Sequence, residues 1–129
     1  MIVDSSAVVA VLLQEDGHEE LIRRLAAETD VGVGAPTLCE TGIVLAARLG
    51  PAGKTLLARF VDEAGLAVLP FADAHWPVAV DAYLRFGKGR HPAGLNFGDC
   101  LTYAMCQVLQ RPLLCIGDDF TRTDLTVVS

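Results

Sequence analysis

Four short apolar runs constrain this chain more than anything else in it. Met1-Ile2-Val3, Val31 to Ala35, Leu66-Ala67-Val68-Leu69 and Leu113-Leu114-Cys115-Ile116 are too short to be core helices and lack the alternation of a half-exposed strand. Strands that are apolar on both faces belong in a parallel sheet covered by helices on each side. The intervening segments supply those helices. Val8, Val9, Leu12 and Leu13 lie at helical spacing over Ser6 to Leu13. His18 to Glu28 follows with Leu21, Ile22 and Leu25 turned inward, and another helix runs from Pro36-Thr37 to about Arg48, closed by Gly50-Pro51. Ala52 to Ala64, Ala72 to Phe86 and Cys100 to Leu109 complete the set, and Leu125 to Val128 reads as an edge strand. The expected fold is α/β: one domain over residues 1–129, with a central parallel sheet of about four to five short strands flanked by helices.

Composition narrows the class. Hydrophobic residues are 52% and charged residues 20%, which excludes a disordered chain. The longest uncharged apolar run, Ser5 to Gln14, is about half the roughly 20 residues that span a bilayer, and Asp4 precedes it where a signal peptide carries basic residues. A soluble, cytoplasmic protein is expected, with no membrane partner. Ten Lys and Arg against 16 Asp and Glu give a net charge of −6, which disfavours a general nucleic-acid coating protein. An enzyme whose acids bind a cation that meets phosphate remains open. Cys39, Cys100, Cys106 and Cys115 form no Cys-x-x-Cys pair and sit in apolar stretches, as reduced core thiols do.

The acids carry the chemistry. Ligands of open parallel sheets gather beyond the carboxyl ends of the strands. Asp4 ends the first strand, Glu40 lies in the first turn of the helix after the second, Asp99 begins the helix after the glycine-rich segment Gly87 to Gly98, and Asp118 and Asp119 follow the strand from Leu113. Carboxylates brought together raise one another's pKa, and a hard cation such as Mg²⁺ or Mn²⁺ relieves the repulsion. Each acid also has a structural reading. Thr37 with Glu40, and Asn96 with Asp99, have capping-box spacing, while Asp4 and Asp119 fit helix caps. Capping does not explain why Asp4 directly ends a wholly apolar strand, where an unpaired carboxylate is costly.

Met-Ile-Val-Asp-Ser-Ser-Ala at the start, Glu40 in a helix, Gly-Leu-Asn-Phe-Gly-Asp before Cys100 and Pro-Leu-Leu-Cys-Ile-Gly-Asp-Asp-Phe after it resemble a PIN domain, and more narrowly the VapC toxins of type II toxin–antitoxin pairs. The resemblance covers essentially the whole chain. It implies that Asp4, Glu40 and Asp99 are catalytic, metal-holding acids. Many relatives carry the fourth acid two residues before the final Asp-Phe; here that position is Gly117, so Asp118 or Asp119 must serve. Ser6 matches a small hydroxyl residue near the metal, and Asn96 supports the site. The implied activity is Mg²⁺-dependent hydrolysis of RNA phosphodiesters, with Mn²⁺ as a substitute, leaving a 5′-phosphate and a 3′-hydroxyl. The implied partners are a VapB-type antitoxin, which commonly inserts a basic side chain near the acids, and a second copy in a homodimer.

The densest basic stretch, Arg85-Phe86-Gly87-Lys88-Gly89-Arg90-His91, immediately precedes Asn96 and Asp99. Arg85, Lys88 and Arg90 are candidates to guide an RNA backbone, with Phe86 or Phe97 stacking bases; a solvated, flexible loop is the alternative. The substrate would be an unpaired loop of tRNA, rRNA or mRNA. Leu45, Leu49, Leu56, Leu57, Phe60 and Val61 form either an antitoxin groove or ordinary core. Two other classes compete. A receiver-like Mg²⁺-binding signalling domain wants a lysine after a late strand, which Leu113 to Phe120 lacks. A non-catalytic interaction module would use the acids only as caps. The Asp-x-Asp opening of a haloacid-dehalogenase-like phosphatase is absent, since Ser5 and Ser6 follow Asp4.

Overall fold

The backbone groups of the four apolar runs satisfy one another. In the computed structural model, which describes residues 1–128, β1 (Ile2–Val3), β2 (Gly32–Gly34), β3 (Ala67–Leu69) and β4 (Leu113–Leu114) make one parallel sheet in the order β3-β2-β1-β4. Strand β4 is shorter than the apolar run because pairing ends where the Ile116 N–H turns away to the Ser6 hydroxyl, 3.1 Å distant. The expected edge strand over Leu125 to Val128 is reduced to a single parallel bridge from Leu113 to Val127. The sheet is therefore four-stranded.

The two-residue period of a strand sends alternate side chains to opposite faces, and here it divides the core in two. Ile2 and its register partner Leu113 pack with α5 (Trp76–Phe86) and α6 (Phe97–Leu109). Val3 and Leu114 pack on the other face with α1 (Ser5–Leu12), α2 (His18–Ala27), α3 (Ala35–Leu49) and α4 (Pro51–Ala64). No helix among the described residues is long and apolar enough to cross a membrane.

Several boundaries move for identifiable reasons. Proline is tolerated in a first helical turn, where its missing N–H would have no partner. Pro77 therefore starts α5 at Trp76 rather than Ala72, and the Ala72 N–H instead closes a turn on His75 Nδ1 at 2.9 Å. Helix α6 starts earlier than Cys100 because Asn96 caps it. Helix α3 begins at Ala35 with Gly34 as N-cap, so Thr37 caps nothing and the Thr37–Glu40 capping box does not form. Glu40 then lies in the second turn. The glycine-rich segment is not a free loop, since Gly87 bridges to Leu95.

The side-chain expectations also need correction. Cys39 is exposed, while Cys100 and Cys106 are buried as expected of core thiols. Ile22 is exposed rather than inward. Leu45 and Leu57 are buried between α3 and α4, with Phe60 and Val61 packed against the same core, so that residue set is mostly interior rather than a groove. Leu49 of that set is exposed, and further exposed apolar side chains lie at Ile43, Val80, Tyr83, Leu84 and Phe97.

Strand order places the site. The chain steps from β1 out to β2 and β3, then returns to set β4 on the other side of β1. The crevice at such a reversal, beyond the carboxyl ends of the strands, is where open parallel sheets bind ligands. Asp4 follows β1 and Asp118-Asp119 follow β4 at that point.

Candidate active site

Asp4 is the floor of the site. It is buried, at 4% exposure, and a buried carboxylate persists only when its acceptors are filled. Its Oδ2 accepts the Ser6 N–H at 3.1 Å and the Ser6 hydroxyl at 2.6 Å, which makes Asp4 the N-cap of α1. Its Oδ1 accepts the Thr102 hydroxyl at 2.9 Å. Ser6 Oγ also receives the Ile116 N–H, tying the segment after β4 to the start of α1. Ser6 is thus a brace for Asp4 and not itself the cap.

Helix α6 delivers Asp99. Asn96 Oδ1 accepts the Asp99 N–H at 2.9 Å and the Asp99 carboxylate accepts the Asn96 N–H at 3.1 Å, a complete capping box. The structural reading of this pair is correct, and it also fixes Asp99 at the helix mouth. Glu40 reaches the same mouth from α3. A Cβ placed on Gly98 would stand 2.3 Å from Glu40 Oε2. Glycine at that position is what admits the glutamate.

The electrostatics show which acids share the space. Burial pushes the half-buried Asp99 carboxyl up to about 6; the Asn96 N–H opposes the rise, and the charges of Asp4, Asp119 and Glu40 add to it. The Cys115 thiol is raised to about 12, by burial first and then by Asp4, Asp99 and Asp119. Asp118 acts on neither group. Both Asp118 and Asp119 lie exposed, and the Asp118 carbonyl accepts the Thr121 hydroxyl at 2.6 Å. Asp119 is thus the acid of this pair whose charge reaches the cluster. Asp119 is no side-chain cap for the short 3-10 turn Phe120–Arg122. Gly117, with φ +93°, takes a left-handed conformation that favours glycine, and it turns the chain just before these two acids.

The donor set suits a hard divalent cation. It is all carboxylate and hydroxyl oxygen, and its members repel one another. Among the described residues no three Asp, Glu, His or Cys side chains stand close enough to hold an ion together directly. That spacing leaves room for water. Mg²⁺ keeps several waters and takes only one or two carboxylates directly.

Comparison with known proteins gives the family and the fold. The PIN domain family model matches residues 1–125. Ribonuclease VapC36 of Mycobacterium tuberculosis is 48% identical over 126 residues, covering 97% of this chain and 91% of that protein. The chain belongs to the PIN-domain family. The crystal structure of M. tuberculosis VapC20, described as a sarcin-ricin loop cleaving toxin, superposes with a TM-score of 0.80 at 19% identity, over 98% of this chain and 97% of that one. VapBC2 from Rickettsia felis, bound to a promoter DNA fragment, gives a TM-score of 0.76 at 12% identity, over 99% and 96%. Both establish the likeness of fold.

On this PIN domain the basic segment is only partly as expected. Arg85 is already engaged: its Nη1 lies 3.3 Å from Asp124 Oδ2, and its guanidinium stacks on Phe86. Arg90 donates to the Leu84 carbonyl and lies over the Tyr83 ring. Lys88 is exposed and makes no ion pair among the described residues. Phe86 is buried against His91 and Tyr103, so it is not free to stack a base, whereas Phe97 is 79% exposed. Arg122 turns to the Pro92 carbonyl. The base of the segment is tied by the Lys88 N–H donating to the Leu95 carbonyl and the Leu95 N–H donating to the Phe86 carbonyl, each at 2.9 Å, so it is not the flexible alternative. Sequence reasoning missed Thr102 and Gly98, and it gave Thr37 only a capping role. Threonine and glycine carry no signal of their own, and only the packing of α3 on α6 gives them a role.

Proposed function

We propose that this chain is a divalent-metal-dependent endoribonuclease toxin of the VapC kind. Residues 1–129 work as one domain, with Asp4, Glu40, Asp99 and Asp119 as the catalytic, cation-holding acids. The observation that carries the reading is the convergence of acids from separate elements at the sheet's switch point: Asp4 after β1, Glu40 over Gly98, Asp99 at the mouth of α6 and Asp119 after β4. Capping accounts for Asp4 and Asp99 singly, but it does not account for Glu40 reaching the same mouth. The relative at 48% identity is named a ribonuclease, and the PIN-domain match leaves the receiver-like alternative without support.

Mg²⁺, or Mn²⁺ in its place, would supply Lewis-acid activation of water and neutralise charge at the phosphate. The protein's own share is positioning. Asp4 is held by Ser6 and Thr102, Asp99 by the Asn96 box, and Glu40 by the space over Gly98. The N-termini of α1 and α6 open on the same crevice, and their dipoles favour the anionic substrate. Lys88 is the side chain free to meet an RNA backbone on approach. An unpaired RNA loop fits better than a duplex, because Phe97 offers an exposed face to an unstacked base.

A VapB-type antitoxin is the proposed regulator, on the strength of the VapC relatives, with the VapBC2 complex as a structural neighbour. A basic side chain delivered to the acids would compete with the cation. The exposed apolar surface at Ile43, Val80, Tyr83 and Leu84 is the proposed homodimer face, and the compartment is the cytoplasm.

The test is incubation of purified, antitoxin-free protein with total bacterial RNA in Mg²⁺, Mn²⁺ or EDTA, followed by mapping of new 5′ ends. Discrete metal-dependent cuts, lost in Asp4→Asn, are expected. Cuts that persist in EDTA or in the variant would refute the assignment.

A further inference from the structure

A buried hydroxyl pair sits beneath the acids. Thr37 and Thr102 are 3% and 1% exposed, and their Oγ1 atoms are 3.2 Å apart. Thr102 Oγ1 donates to Asp4 Oδ1 at 2.9 Å. A hydroxyl has one proton to give, and an ionised carboxylate can only accept. Thr102 therefore spends its proton on Asp4, and Thr37 is the donor in the threonine pair. The result is a one-directional chain, Thr37 to Thr102 to Asp4. Thr41, fully buried, donates to the Thr37 carbonyl at 2.7 Å and adds a further polar contact at the base of the chain.

Position gives this chain its significance. Thr102 is three residues after Asp99 on α6, and Thr37 is three residues before Glu40 on α3. Residues three apart share a helix face. Each threonine thus lies one turn from an acid on the same helix, and the two hydroxyls join those helices where they meet the end of β1. Asp4's acceptor sites complete the picture. Oδ2 accepts two hydrogen bonds from Ser6, while Oδ1 accepts one, from Thr102. A carboxylate oxygen accepts about two such bonds. The acceptor position left open is on Oδ1, beside the Thr102 hydroxyl.

We infer that the Thr37–Thr102 pair is a positioning device that orients Asp4 so that its Oδ1 faces the cation, and that Thr102 sets the protein's affinity for that cation without touching substrate. The inference rests on the metal-site reading above. A partner that fixes a ligand's orientation usually matters to metal affinity nearly as much as the ligand.

Three variants test it. Mn²⁺ alone is titrated into the metal-free protein, free Mn²⁺ is read by electron paramagnetic resonance, and single-turnover RNA cleavage is measured alongside. Thr102→Val keeps the shape and removes the donor; it weakens Mn²⁺ binding by about tenfold or more and slows cleavage at saturating RNA with the KM for RNA unchanged. Thr102→Ser restores the donor and, with it, most of the affinity. Thr37→Val, which leaves Thr102 in place, gives a smaller loss and serves if Thr102→Val does not fold. Parental Mn²⁺ affinity in Thr102→Val, or in Thr37→Val where that is the variant that folds, overturns the inference. So does a serine variant as weak as the valine. A parent protein that binds no Mn²⁺ saturably brings down the metal-site reading itself, whereas a parent that binds it while Thr102→Val binds equally well overturns this inference alone.

Discussion

Replacing Asp99 by asparagine should stabilise the metal-free protein while abolishing its activity. The carboxyl rises from 3.8 to about 6 on folding, and at 1.36 kcal/mol per unit that is about 3 kcal/mol before solvent screening. Asp99 is only half-buried, so the effective figure is about 1–2 kcal/mol. The sign follows from the direction of the shift. An acid whose pKa is higher in the folded state favours folding while protonated, and that contribution is lost as pH rises from the unfolded value through about 6. The parent therefore loses stability between about pH 4 and pH 6 from this group, and Asp99→Asn does not. Asparagine keeps an oxygen that accepts the Asn96 N–H, so the capping box survives in part. Thermal unfolding in EDTA at pH 8 should place the variant's Tm roughly 3–8 °C above the parent's for a chain of this size. The gap should narrow as pH falls and close below about pH 4. Added Mg²⁺ should raise the parent's Tm and leave the variant's unmoved. If the acids are only caps, the variant is instead destabilised by about 0.5–2 kcal/mol at pH 8, and the clustered-charge account fails.

Gly98→Ala should change stability by no more than about 1 kcal/mol, since alanine suits a helix, yet slow cleavage by about 10- to 100-fold by displacing Glu40; a rate unchanged in single turnover would refute Glu40's placement. Asp119→Asn should cost about 10-fold or more in cleavage, and Asp118→Asn should cost little, read on the same RNA; the reverse order would reassign the fourth acid. Lys88→Ala should weaken RNA binding and lower the salt dependence of the affinity by about 0.7, measured by fluorescence anisotropy between low and moderate salt. Arg85→Ala should act on stability, by about 0.5–1 kcal/mol through its contact with Asp124, with the salt slope intact.

How much of this was legible in the sequence depends on how local the cause is. The parallel sheet and its two helical layers follow from apolar runs such as Met1 to Val3 and Val31 to Gly34, which are buried throughout; Leu66 to Leu69 had the same pattern, yet β3 is an edge strand with Val68 exposed. The Asn96–Asp99 box was equally legible, being a pattern of adjacent residues. Helix starts moved where proline chose the first turn, at Pro36 and Pro77, and the Thr37–Glu40 box vanished with that shift. Choosing between Asp118 and Asp119 needs the path of the chain after Gly117, which no spacing rule supplies. Thr37 and Thr102 are 65 residues apart, and only the packing of α3 on α6 makes them a pair. Arg85 looked available for RNA because Asp124, 39 residues on, was not visibly its partner.

The most direct test of the account is to follow metal binding and RNA cleavage on one sample. Mn²⁺ is titrated into the metal-free protein while single-turnover cleavage of its mapped RNA is measured at each concentration, for the parent and for Asp4→Asn, Glu40→Gln, Asp99→Asn and Asp119→Asn. Cleavage that rises along the Mn²⁺ binding curve in the parent, with both lost in the four variants, is the predicted result. Cleavage that proceeds without bound metal, or Mn²⁺ binding that survives all four substitutions, would contradict it.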